Sequence, residues 1–171
     1  MTVARACGHL SNFNSAHESR ARVLGEARLD YPESHIEVDN RLSWFLGGLE
    51  KRYGGEPLYV HLRRDAEATA RSFEARWGMG IIRAFAQTII AHPEEWPAED
   101  RLTLCREYVQ TVTANIELFL RDKPSTMTVW LDDYKTWFPD LWRRIEGEGN
   151  LDAALAEFAV RHNATAHRER G

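Results

Sequence analysis

Arg64 closes an apolar run, Leu58-Tyr59-Val60-His61-Leu62-Arg63-Arg64, and Ser72 follows eight positions later in an amphipathic segment that opens on Asp65. β-formers, two cations and a capping aspartate in that order predict strand, turn and helix. A guanidinium at the carboxyl end of a strand and a hydroxyl two turns into the next helix converge on one anion, where open α/β sheets bind their ligands. Arg grips such an anion through paired, charge-assisted hydrogen bonds. His17 and Glu18 form a second chemical pair, an imidazole beside a carboxylate, suited to accepting a proton. Plainer readings stand beside these. Arg64 is then a surface ion-pair partner, Ser72 a solvent-side helix residue, and His17 and Glu18 loop or helix-cap residues. Asp39 is a further base or an N-cap, and Arg41 and Arg63 are anion contacts or surface charge.

The elements that position these groups are bounded first by composition. The 171 residues suit a single domain spanning 1–171, and 43% hydrophobic content with six Trp, seven Phe and five Tyr supports a packed core. A net charge of -4 gives no general attraction to nucleic acid or to acidic membranes, so neither is an expected partner and any anion site is local. Cys7 and Cys105 form no metal-binding spacing, and a cytoplasmic protein with reduced thiols and no metal is expected. No run reaches the roughly 20 apolar residues of a membrane span. The amino-terminal residues lack the apolar core of a signal peptide, which makes the Asn163-Ala164-Thr165 sequon incidental.

Along the chain, Val3, Cys7 and Leu10 predict a short helix over 2–10, and the polar, turn-forming stretch 11–19 places His17 and Glu18 in a loop or at a helix start. A short strand over 34–38 ends at Asp39. Leu42, Phe45, Leu46, Leu49 and Tyr53 make one helical face that stops at Gly54-Gly55. After the strand and helix around Arg64, with Ala66, Ala70, Phe73 and Trp77 as the buried face, Gly78-Met79-Gly80 breaks the chain. A helix over 81–91, a surface loop over 92–99 and a long helix over 100–122 follow. Met127 to Leu131 is the third strand. Helices over 134–145 and 151–158 close the fold, and a polar, frayed tail is expected from Arg161. Trp130, Trp137, Phe138 and Trp142 read as an acceptor pocket or as core. The rhythm is that of an α/β fold with parallel strands, a small sheet flanked by helices and a helix-rich C-terminal half.

Arg64-Asp65 with Ser72 resembles the sulfotransferases that use 3′-phosphoadenosine 5′-phosphosulfate (PAPS), in which such an Arg and Ser hold the nucleotide's 3′-phosphate. His17-Glu18-Ser19-Arg20, Ile36 to Leu42 and Phe138 to Ile145 are similar to bacterial members, so the resemblance spans most of the chain. It implies a P-loop-like three-layer domain with PAPS as co-substrate, no metal, and sulfuryl transfer to a hydroxyl or amine of a small-molecule or glycan acceptor. Asp65 stands where many members have Asn, and Ala66 where many have Pro.

The family's glycine- and hydroxyl-rich phosphosulfate loop has no counterpart, because Gly47-Gly48 falls inside a helix and Gly54-Gly55 at a helix end. The resemblance places Thr2 at the final hydroxyl of that loop. It leads to the expectation that Met1 is internal to a longer chain, with a strand and loop of roughly 10–20 residues before it. The competing expectations are a non-catalytic fragment or pseudoenzyme that keeps Arg64 and Ser72, and a mainly helical interaction module. Oligomeric state is not written in the sequence.

Overall fold

The computed structural model describes residues 1–90 and 96–160. The chain forms two compact units, one made of Met1–Tyr53 with the described residues from Asp133 onward, the other of Gly54–Asp132. Both are α/β, and each holds a parallel two-stranded sheet.

In the first unit, helix α1 (Thr2–Cys7) precedes β1 (Asn14–His17), which pairs in parallel with β2 (His35–Val38) so that His17 lies beside Val38. Within 11–19, Asn14–His17 is therefore strand rather than the predicted loop, while Glu18 lies in the loop that follows. Asn-Ser-Ala-His shows no apolar alternation and becomes a strand through its pairing with β2, a contact distant in sequence. Ser15 on β1 donates to the Ala4 carbonyl at 2.9 Å, fastening the strand to α1.

The predicted single helix over 42–53 is two elements: a 3-10 turn over Asn40–Trp44, capped by Asp39, and α2 (Leu46–Tyr53). Phe45 leaves helical geometry between them. Helices α6 (Tyr134–Arg144) and α7 (Leu151–Ala156) complete the unit. Trp137, Phe138, Leu141 and Trp142 are buried, with the Phe158 ring against Trp137 and Phe138, so three of the four aromatic residues considered for a pocket are core. Gly149 adopts φ 130 where its Cα packs onto the His9 carbonyl, a close approach that leaves no room for a side chain.

In the second unit, β3 (Tyr59–Arg63) pairs in parallel with β4 (Thr126–Trp130), and Arg63 lies beside Trp130. Between them run α3 (Ala66–Glu74), α4 (Gly80–Ala84), a π-helical turn over Phe85–Ile89, and α5 (Ala98–Leu120). Ala70, Ile82, Phe85, Ala86, Leu104, Cys105 and Tyr108 form its core, with Phe73 and Trp77 against them. The buried stripe of α3 is thus nearly the predicted one, except that Ala66 is exposed. The expected helix over 81–91 shortens because the π turn interrupts it. The tail from Arg161 and residues 92–95 of the expected loop lie outside the described residues, and α5 starts at Ala98, two residues before the expected helix. Among the described residues, four short strands in two sheets stand where three in one were expected. Among the described residues no helix is long and apolar enough to cross a membrane.

Candidate functional site

Each unit carries its chemistry at the carboxyl ends of its strands. In the second unit β3 ends at Arg63, and the next two residues turn the chain into α3. Asp65 is consumed by that turn: its carboxylate accepts from Ala68 N–H at 2.7 Å, and Thr69 Oγ1 donates to its carbonyl at 2.8 Å. Arg63 is held as well, donating to Glu117 at 2.9 Å with its guanidinium 5.0 Å from the Trp130 ring centroid. Arg64 is exposed and makes no hydrogen bond or ion pair with the described residues.

Ser72 lies two turns along α3, half-buried, and its Oγ accepts from Arg76 Nη2 at 3.1 Å, while Arg76 Nε donates to the Ser72 carbonyl at 3.0 Å. Asp65, Thr69, Ser72 and Arg76 recur every three or four residues along one side of this segment. Arg76 is a cation the sequence reading missed, although its position one turn after Ser72 was the available signal. His61 is buried on β3, with no partner for its Nδ1 among the described residues. Burial, then the Arg63 charge, hold its imidazole below the ordinary 6.5.

The first unit's strand ends are filled with charge that is paired internally. Glu18 follows β1 in left-handed geometry, φ 53, rare for a residue with a side chain. Its N–H donates to the Val38 carbonyl at 3.2 Å, and its carboxylate is ion-paired with Arg41. Asp39 follows β2 and accepts from Arg28 at 2.5 Å and from Arg41 N–H at 2.8 Å. The Arg28–Asp39 pair is almost wholly buried, with side chains 5% and 0% exposed. Burial works against the Arg28 charge, but the Asp39 and Tyr31 contacts outweigh it and raise its pKa.

Beside it His35 and Glu37, on one face of β2, pair at 3.0 Å, and Ser19 gives Glu37 two further hydrogen bonds, 2.8 Å from N–H and 2.5 Å from Oγ. Burial pushes the Glu37 carboxyl up. The hydrogen bonds from Ser19 and His35 prevail and hold it below its ordinary 4.5. Arg28, His35 and Glu37 escaped sequence reading. The alternation of His35 and Glu37 was a signal for the last two, whereas nothing marks Arg28 in its polar segment.

His17, the last residue of β1, is exposed and makes no hydrogen bond or ion pair with the described residues. Thr2 opens α1, half-buried. Thr2, His17 and Glu18 thus belong to the first unit, and Arg64 and Ser72 to the second.

Burial pushes the Cys7 thiol to about 12 and the Cys105 thiol to about 11, which keeps both protonated near neutral pH. Among the described residues no three His, Cys, Asp or Glu side chains gather as a metal site. Comparison of the chain with protein-family models, curated proteins and solved structures finds no match.

Proposed function

We propose that this chain is a sulfotransferase of P-loop-like fold that uses PAPS as co-substrate and transfers its sulfuryl group to a hydroxyl or amine of a small-molecule or glycan acceptor. The observation that carries the reading is Arg64: an exposed guanidinium without a partner among the described residues, at the carboxyl end of a parallel strand and one residue ahead of a capped helix. Ser72 on that helix and Arg76 in the turn just beyond it add a hydroxyl and a second cation. Together they match the demand of a nucleotide 3′-phosphate for charge-assisted donors.

In the reaction the S–O bond to the phosphate of PAPS breaks, the acceptor oxygen bonds to sulfur, and adenosine 3′,5′-bisphosphate departs. The acceptor's proton passes to His17 or Glu18. Of the two, the His17 side chain makes no hydrogen bond or ion pair with the described residues, while Glu18 is engaged by Arg41. Thr2 contributes a hydroxyl toward the phosphosulfate, as the resemblance implies. No metal is needed, since sulfuryl transfer, like phosphoryl transfer, rests mainly on positioning and charge.

The test is thermal shift with adenosine 3′,5′-bisphosphate, followed by transfer of radiolabelled sulfate from PAPS to a panel of hydroxyl acceptors. Arg64→Ala is expected to weaken nucleotide binding by about tenfold to a hundredfold, as for a lost hydrogen bond to a charged group. Binding without transfer favours a nucleotide-binding pseudoenzyme. No stabilisation of the unsubstituted protein sinks the reading.

A further inference from the structure

A pocket of about 270 Å³ opens in the second unit, lined by Trp77, Arg83, Gln87, Trp96 and Arg101 among others. Its walls are built rather than incidental. Arg101 Nε donates to the Trp96 carbonyl at 3.2 Å, and its guanidinium lies 5.3 Å from the Trp77 ring centroid. Trp96 Nε1 donates to the Ala86 carbonyl at 3.3 Å, which fixes the second indole. Arg83 Nε donates to Gln87 Oε1 at 3.0 Å and leaves the amide NH2 of Gln87 as a donor. The Nη groups of Arg83 and Arg101 make no hydrogen bond with the described residues. Among the described lining residues there is no carboxylate.

Gln87 and Ala86 lie in the π-helical turn over Phe85–Ile89. An insertion of this kind re-aims side chains and is frequent at functional sites. The lining therefore combines two indoles, two guanidiniums with unused donors and one amide donor. Indole walls select a flat ring, and the donors select negative charge. The volume is just below the usual range of small-molecule sites and suits a ligand no larger than a single substituted ring.

We infer that this pocket is a binding site for a small planar aromatic anion, an aryl carboxylate or aryl sulfate, held with its ring against Trp77 and Trp96 and its anionic group on Arg83, Arg101 and Gln87. The site stands independently of nucleotide binding at Arg64.

Calorimetry and ligand-observed NMR on the full chain test it with benzoate and phenyl sulfate as probes, and with cyclohexanecarboxylate and inorganic sulfate as controls. Both aryl probes are expected to bind more tightly than either control. Arg83→Gln, at an exposed position, is expected to weaken them by about tenfold or more, with an unchanged thermal midpoint showing that the fold is kept. Arg64→Ala is expected to leave them unaffected. The inference is overturned if neither aryl probe binds, if the controls bind as well as the aryl probes, or if folded Arg83→Gln binds them undiminished.

Discussion

The two strand ends, one in each unit, handle charge in opposite ways. In the first, Glu18, Glu37 and Asp39 meet Arg28, Arg41 and His35, so that each carboxylate at the ends of β1 and β2 has a cationic or imidazole partner. In the second, Glu117 pairs with Arg63, Asp65 is spent on the helix cap, and the adjoining Arg64 is left facing solvent. The first arrangement is a closed circuit that holds groups in place. The second leaves one guanidinium, that of Arg64, without a side-chain partner among the described residues. The difference shows that charge content alone does not tell which charges are paired and which stay exposed.

The sharpest way to break the contrast is to open the closed circuit. Asp39→Ala leaves Arg28 buried beside no carboxylate and is expected to cost about 3–5 kcal/mol, read as a lower midpoint in urea denaturation. The double change Arg28→Met/Asp39→Leu should recover much of that loss, because two apolar side chains need no compensation. A cost below about 1 kcal/mol for Asp39→Ala would mean that this pair resembles an exposed one.

A smaller effect is expected at the open end. Asp65→Ala removes the cap of α3 and should cost about 1 kcal/mol, with the helix signal of the unfolding transition reporting it.

Acidity separates the two units by pH window. His61 has a folded pKa below 6.5, so below that pH the unfolded chain binds a proton the fold resists, and stability falls as pH drops from 6.5 toward the folded value. Glu37 has a folded pKa below 4.5. Its contribution is complete above 4.5 and is lost as pH falls through the lowered value. Stability curves of His61→Gln and Glu37→Gln should each flatten in their own window; a shared window would contradict the assignment.

The least effect is expected from Arg64→Ala, which should alter stability by no more than about 0.5 kcal/mol in the same denaturation series while removing nucleotide stabilisation. A large loss of stability would show Arg64 to be a structural residue.

Much of the second unit was legible because its signals are local. The run of β-formers before Arg64, the aspartate that caps α3, and the spacing of Ala70, Phe73 and Trp77 each act within a few residues, and the strand and helix form where they point. β1 was not legible, since Asn14 to His17 acquires strand geometry from β2 across a long interval of chain. The pairing of Glu18 with Arg41 and of Asp39 with Arg28 was hidden for the same reason, as was the π turn beneath Gln87.

The sequence by itself determined the strand-to-helix hinge at Arg64, its helix cap and the alternation of strands with helices, because propensity, capping and hydrophobic period operate over single turns and adjacent residues. Only the tertiary structure decided which charges are silenced and which remain available. Burial and partner choice depend on segments that meet in space, and a guanidinium deep against Asp39 has the same chemical formula as one exposed at Arg64.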